Sequence, residues 1–585
     1  MLGTRSPQRG LFDADTVYGE YVAAHEGTSF YTFLAQHRHE IFHDEDFAEL
    51  YCQDNGRRSV PPSLLALALV LQTYTKVSDE EAHDRACFDL RWKVALGVGE
   101  WERPFAKSTL QEFRAQLVLH QRQAAIFQES LKWVRTRARQ GALGKNKQVR
   151  LALDTTAILG RGAVKDTYNL LGDGIALLVE ALAGQAGEDV AAWAEREGFS
   201  RYVNGDSLKG QLDIDWSDKA QREAALQAIV ADADRLLELV RHARGELAAG
   251  SLGDKRLERT AALLARVLVQ DIERRPSGAV LKQGVTKDRV LSTTDPEMRH
   301  GRKSPAWRFD GYKAQVAVDV DSQMVTAVAV LPGNAPDAEQ ALEMVDQTEQ
   351  ELDCSVTEVV ADAAYGAGVT RQAFADAGRT LVAKVGVVSN QGYFPKTDFR
   401  IDLDAGSCRC PAHEVTFDVR GAPLSRRFQF AAEVCGACPL RPHCVRGQGG
   451  RTITVHPQER LLQAARAFQA TPGFREYRAR RQTVEHRLAR LVQLGIRQAR
   501  YRGSAKVLFQ LYLAAAVANL TLAAAGHGAF WPLLVLFWAV AVVRWGPSDR
   551  SATHRRSAAP LAEGLVLIDP AFARRLRLAG SRPGF

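Results

Sequence analysis

The chain has 585 residues, 46% hydrophobic and 25% charged, which are the proportions of a folded globular protein and exclude a disordered or collagen-like body. At this length roughly three or four domains and a large core are expected. The formal net charge is +8, and the stretch 474–506 alone, with nine Arg and one Lys against two Glu, carries an equal excess, so an acidic partner is expected to meet that stretch.

The opening residues MLGTRSPQRGLFDADTVYG lack the apolar core of a secretory signal, so cytoplasmic residence is the expectation. Residues 60–140 read as several short helices. Pro61 and Pro62 open an apolar run to Leu71, and two capping boxes, Ser78 with Glu81 and Ser108 with Gln111, mark fresh helix starts. A helical domain over 1–145 with helix-turn-helix character is consistent with this, and so is a generic bundle. At Gln148 the period changes to two, with Val149, Leu151 and Leu153 alternating with Arg150, Ala152 and Asp154, which predicts a strand ending in a carboxylate. From 168 to about 290 a helical insertion is expected. Its clearest signal is the stripe Ile229, Val230, Ala233, Leu236, Leu237 and Val240.

Strands resume at 312–319 and 324–330 as an antiparallel hairpin across Asp-Val-Asp-Ser. A helix from Asp337 to about Leu352 follows, then short strands at 357–362 and 380–385 around a helical patch at 370–377. Five of the eight cysteines fall between Cys408 and Cys444; Cys52, Cys87 and Cys354 read as ordinary core thiols. In a reducing compartment such clustering points to a metal site before a disulfide framework. The basic segment 458–498 reads as helical, with Val484, Leu488 and Leu491 on one face. The tail carries an apolar run at 530–543, short for a membrane span, and His527 and Pro532 interrupt any longer one, so a buried helix or a loose extension is expected there.

Three acids suit an oxygen-ligand metal site: Asp154 and Asp362 at strand ends, and Glu485 on the basic helix. Carboxylates at the ends of strands in one sheet can converge, a facing helix can add a third, and Mg²⁺ prefers such hard oxygen donors. Each acid also has a plainer reading: a turn or cap at Asp154, an Asx turn at Asp362, and a helix pair of Glu485 with Arg481.

The segments VPPSLLALALVLQTY, SDEEAHDRACFDLRWKVALGV, FAKSTLQEFRAQL, LALDTTAILGRGAVKDTYNLL, STTDPEMRHGRK, GYKAQVAVD, VVADAAYG and YRARRQTVEHRLARL together resemble a DDE transposase of the IS1182 type, related to the IS4 and IS5 groups. The resemblance covers about residues 20–520. It implies an α/β fold: an RNase H-like mixed-sheet catalytic core over 146–400 and 456–525 with a helical insertion, an N-terminal helical DNA-binding domain, a Cys-rich metal-binding insertion at 401–455, and a tail at 526–585 outside the core.

By the same resemblance Asp154, Asp362 and Glu485 are the catalytic acids, holding Mg²⁺ or Mn²⁺, expected as two ions. Tyr477, Arg480, Arg481, Arg487, Arg490, Arg497 and Lys313 are the expected DNA contacts. Related enzymes carry a basic residue seven positions after the Glu; here that position is Val492, so Arg490 or Arg497 would have to substitute. Asp319, ending the GYKAQVAVD strand, is either an additional acid or a turn residue.

Similar transposases also show Cys-Pro followed by Cys-x2-Cys-Pro-Leu-x3-Cys, which selects Cys410, Cys435, Cys438 and Cys444 as ligands of a structural Zn²⁺. His443, His413 or Cys408 could replace one, and an iron–sulfur cluster would use the same ligands. The implied activity is cleavage of the element's inverted-repeat ends and their joining to target DNA, by a homodimer acting on double-stranded DNA in the cytoplasm at the nucleoid. The rival readings are a catalytically inactive DNA-binding derivative and, last, a membrane protein anchored by 530–543.

Overall fold

The computed structural model describes residues 1–526 apart from 7, 9, 28, 53–54, 139–147, 206, 246, 285 and 387–389. The apolar run at 530–543 and the rest of the tail lie outside the described residues.

A six-stranded mixed sheet forms the centre: β1 (Gln148–Leu159), β2 (Arg299–Arg302), β3 (Arg308–Asp319), β4 (Val325–Pro332), β5 (Ser355–Ala361) and β6 (Thr380–Ala383). On one side of β1 lies β3, antiparallel; the far edge of β3 is shared by β2, against Arg308–Gly311, and by β4, against Tyr312–Val318, both antiparallel. On the other side of β1 lie β5 and then β6, both parallel to it. Three backbones crowd at Gly311, which pairs with Leu159 and Arg299 and accepts the Gly333 N–H at 3.1 Å. Its φ is +149°, and a Cβ there would stand 2.2 Å from the Ile158 carbonyl oxygen, so only glycine fits.

β1 does not end at Asp154 but continues to Leu159, and both its faces are buried from Leu151 to Ile158. The alternation read from the sequence is therefore apolar on one face and covered on the other. Leu151 and Leu153 pack with the helix Ala341–Leu352, Tyr365 and Phe374. Ala152 and Ile158, with Val316 and Val318 of β3, pack under Val484, Leu488 and Leu491 of the helix Gly473–Leu491.

That second core is continuous with the N-terminal helices. Leu67 of Pro62–Thr75, Trp92 of Leu90–Leu96 and Phe127 of Ala125–Ala138 belong to it, as does most of the helix Ser504–Gly526. The N-terminal helices are thus part of the same compact unit as the sheet. By length and composition Ser504–Ala525 would cross a membrane, yet 67% of its most apolar stretch is buried inside the protein.

The helical insertion between β1 and β2 has its own core, centred on Leu171, Leu178, Ile229, Leu236 and Leu264, and ends in a small hairpin, Ile272–Arg275 with Gly278–Leu281. Between β6 and the helix Gly473–Leu491, two three-stranded sheets share a smaller core around Phe399, Cys408, Phe428 and Ile453.

Several local expectations change. Ser78 caps its helix, accepting the Glu81 N–H at 3.1 Å, whereas Ser108 lies inside the helix Lys107–Leu119, whose N-cap is Ala106. The basic segment is two helices, Glu459–Gln469 and Gly473–Leu491, because Ala470, Thr471 and Pro472 form a turn that interrupts it. Cys52 is exposed, not a core thiol. The helices Ala14–Glu26 and Phe30–Ile41 and the strand β2 had no counterpart in the sequence reading.

Candidate active site

The parallel register pairs Leu153 of β1 with Ala361 of β5, so the next residues, Asp154 and Asp362, stand beside each other where β5 stops. β5 stops because Asp362 caps a short turn, Ala363–Tyr365, its carboxylate accepting the Ala364 N–H at 2.9 Å. Tyr365 anchors this turn from the opposite face of the sheet, fully buried and accepting a hydrogen bond from Gln315 Nε2 at 3.2 Å.

The helix Gly473–Leu491 crosses the Asp154 face. Its buried stripe fixes its rotation and leaves Arg481 and Glu485, four residues apart, on one flank. Arg481 Nη1 lies 3.2 Å from Asp154 Oδ2, while Nη2 pairs with the Glu485 carboxylate. Asp154 is only 8% exposed, and burial pushes its carboxyl up to about 6 against the pull of Lys303, the Thr155 N–H and Arg481; the neighbouring Asp362 charge pushes the same way as burial. Among the described residues no group of three or more His, Cys, Asp or Glu side chains is spaced to hold a metal ion. The three acids Asp154, Asp362 and Glu485 therefore form no such group, and neither do Cys410, Cys435, Cys438 and Cys444, expected from the sequence to hold Zn²⁺.

The DNA contacts expected from the sequence fall into two groups. Arg480 lies 3.2 Å from Glu358 and over the Tyr477 ring, and Arg497 donates to Thr156 Oγ1 and the Ala157 carbonyl at 3.1 Å, so both line the same side of the sheet as Asp154. Arg490, half-buried, reaches Gln493 at 3.5 Å.

Two do not belong there. Arg487 is 8% exposed, donates to the Ala518 carbonyl at 2.6 Å, and burial lowers its guanidinium to about 10; it ties two helices together and is closed to a phosphate. Lys313 is equally buried and donates to the Ala335 carbonyl at 2.7 Å and Asp337 at 2.6 Å. It pairs with Ala157, an odd register position, so the two-residue period of the strand turns it to the face opposite Asp154. Asp319 is a turn residue, accepting the Ser322 N–H at 3.0 Å.

The sequence reading missed Lys303, whose ammonium donates to the Thr155 carbonyl and Oγ1 at 2.8 and 3.1 Å, one residue from Asp154. The segment STTDPEMRHGRK, which ends on it, was the available signal. Exposed cations on the helix, Arg475 and Arg478, were also passed over.

Cys410, Cys435, Cys438 and Cys444 line one cavity of about 30 Å³, together with Phe394, Phe430 and Leu440. Burial raises the Cys444 thiol, and the other three thiols add to that effect. Cys408 is instead fully buried in the adjoining core, which pushes its thiol up to about 11.

Residues 26–116 match a transposase domain (DUF772), and residues 410–522 match the transposase DDE domain. The first match covers N-terminal helices; the second runs from Cys410 through Glu485 into the last helix. Both matches are to transposase families, and together they indicate an insertion-sequence DDE transposase of IS1182-like architecture. No curated protein and no solved structure matches it.

Proposed function

We propose that this transposase binds the terminal inverted repeats of its element, cleaves the DNA ends and joins them to target DNA, with Asp154, Asp362 and Glu485 as the metal-holding acids of an RNase H-like core. The observation that carries this reading is the placement of Asp154 and Asp362 side by side on parallel neighbouring strands, with Glu485 on the helix covering that face. The sheet order supports the RNase H-like assignment: three antiparallel strands (β4, β3, β1) followed by two parallel to β1.

Asp154, Asp362 and Glu485 would be the residues to hold Mg²⁺, which would supply Lewis-acid activation for phosphodiester cleavage. The chain's own part is positional. Arg480 and Arg497 flank the acids and offer planar donors to phosphate, while Arg475 and Arg478 extend the cationic surface along the exposed side of the helix. Cys410, Cys435, Cys438 and Cys444, which line one cavity without being spaced as a metal site, would be the residues to hold a structural Zn²⁺. Joining two ends requires two active sites held together, so a homodimer at the nucleoid, in the cytoplasm, completes the reading.

The test is Mg²⁺-dependent cleavage and strand transfer on DNA carrying the gene's native flanks. Products from the wild type, absent with Asp362→Asn and Glu485→Gln, support the reading. A wild type that binds those ends but neither cuts nor joins them with Mg²⁺ or Mn²⁺ shifts the weight to a binding-only derivative.

A further inference from the structure

Because β5 ends at Ala361, opposite Leu153, the edge of β1 on that side is open from Thr155 onward. Two segments close it. The Lys303 ammonium takes the Thr155 carbonyl at 2.8 Å, while Arg497 takes the Ala157 carbonyl at 3.1 Å and its own carbonyl accepts the Leu159 N–H at 2.9 Å. Lys303 stands at the tip of the β2–β3 hairpin, residues 303–307. Thr155 lies opposite Gln315, seven residues along β3 from Arg308, which is roughly 23 Å of extended strand and far beyond the reach of one lysine side chain. The ribbon therefore folds back over β1, with Gly311 and its φ of +149° inside the stretch that bends.

The folded-back tip is pinned at both ends, by Lys303 on Thr155 and by Trp307 on Arg497, whose guanidinium lies 5.4 Å from the centre of the indole ring. Trp307 also leans on the buried Phe309, at 6.0 Å between ring centres, and its N–H is held by the Ser304 carbonyl at 3.2 Å. Even so, Trp307 is 40% exposed, and Arg302 and Arg308, paired across the root of the tip, are exposed beside it. Among the described residues the other exposed tryptophan is Trp101, which stands between Glu100 and Glu102, in surroundings that repel phosphate.

We propose that Trp307 is a stacking platform for an unpaired base of DNA: Arg497 backs the indole, the exposed part of the ring takes the base, and Arg302 and Arg308 hold the flanking phosphates. This rests on the DNA-processing reading and names the part of the substrate that the hairpin tip grips. Thr155 and Thr156, held by Lys303 and Arg497, follow Asp154 directly, so a base on the platform belongs to the strand end at the candidate site. A paired base has its faces covered by its neighbours in the duplex, so stacking favours an unpaired end, whereas phosphate contacts favour neither. If the indole merely covers Arg497, its loss affects both kinds of DNA alike.

The experiment is fluorescence anisotropy of the full chain, without added divalent metal, on a duplex of the gene's native flank made with flush ends or with a short single-stranded overhang on either strand carrying 2-aminopurine. The proteins are wild type, Trp307→Leu, Trp307→Phe and Trp101→Leu, each checked by thermal unfolding. The wild type is expected to bind an overhang more tightly than the flush end. Trp307→Leu should weaken binding to that overhang about five- to hundredfold and to flush DNA less than about twofold. The quenching of 2-aminopurine on binding should disappear with it. Trp307→Phe keeps a smaller ring and falls between the two, which carries the test if the Leu variant does not fold; Trp101→Leu changes neither affinity. Equal losses on both DNAs in the Trp307 variants, or a wild type that does not distinguish them, overturn the stacking role and leave DNA binding standing. A wild type that binds neither DNA overturns the DNA-processing reading and the platform with it.

Discussion

The Asn519 side chain pairs with both backbone groups of Val325, accepting its N–H at 2.9 Å and donating to its carbonyl at 2.8 Å, and it is completely buried. One amide therefore completes the outer edge of β4 where the sheet would otherwise present unpaired groups to an apolar helix. Asn519→Leu keeps the volume but orphans a buried donor and acceptor, each worth about 1–3 kcal/mol, so a loss of about 2–4 kcal/mol is expected in chemical denaturation. A loss below about 1 kcal/mol would mean water reaches that edge.

Arg487 and Arg478 allow packing to be tested apart from the proposed DNA binding on one helix. Arg487→Gln leaves the Ala518 carbonyl short of its charged donor and should cost about 1–3 kcal/mol of stability with no change in the salt dependence of DNA binding. Arg478→Gln, at an exposed position, should leave stability within about 0.5 kcal/mol and lower the slope of log K against log salt by about 0.9; an unchanged slope would remove Arg478 from the proposed DNA contacts.

Asp79 gives the N-terminal helices an acid-sensitive tie. Burial acts to raise its carboxyl, but Arg114 at 2.5 Å and Gln72 at 2.8 Å outweigh it and hold the group down to about 2. A depressed carboxyl contributes stability that is complete above its unfolded value of 3.8 and lost as pH falls through the folded one. About 2 kcal/mol should therefore vanish between roughly pH 4 and pH 2. Asp79→Asn should flatten that limb of the stability profile; an unchanged limb would place the acid sensitivity elsewhere.

The four thiols around one cavity call for elemental analysis. About one Zn²⁺ per chain is expected in protein purified without chelator, lost in Cys438→Ser and in Cys410→Ser but retained in Cys52→Ser, which is exposed and remote from the cluster in sequence. Zinc retained in Cys438→Ser would exclude the four-thiol set.

Much of this architecture was legible because the residues that set it are periodic. β1, the β3–β4 hairpin, the insertion stripe around Ile229 and the Glu485 helix all follow their apolar repeat. Arg487 was legible too: it falls three residues after Val484 and four before Leu491, inside the buried stripe, and a helical wheel would have removed it from the DNA contacts.

Other features needed the register. Nothing in GYKAQ says which face Lys313 takes until Asp154 is paired with Val316. β2, with the sequence Arg-His-Gly-Arg, has no apolar alternation to read, and its pairing to β3 alone defines it. The proximity of Arg481 to Asp154 joins positions 327 residues apart and has no local trace.

The shared core of the first helices and the last one also bears on how the protein comes to exist. The helix Pro62–Thr75, which carries Leu67, packs against the helix Ser504–Gly526 and so finds its final neighbour only when that helix has been synthesised, more than 400 residues later. At about 5–20 residues per second that is a wait on the order of 20–90 s, during which the nascent chain carries an unsatisfied apolar surface at its leading end. A reading frame cut short before Asn519 would leave that surface permanently open, so a truncated product is expected to be a substrate for chaperones and proteases, not a competing DNA binder.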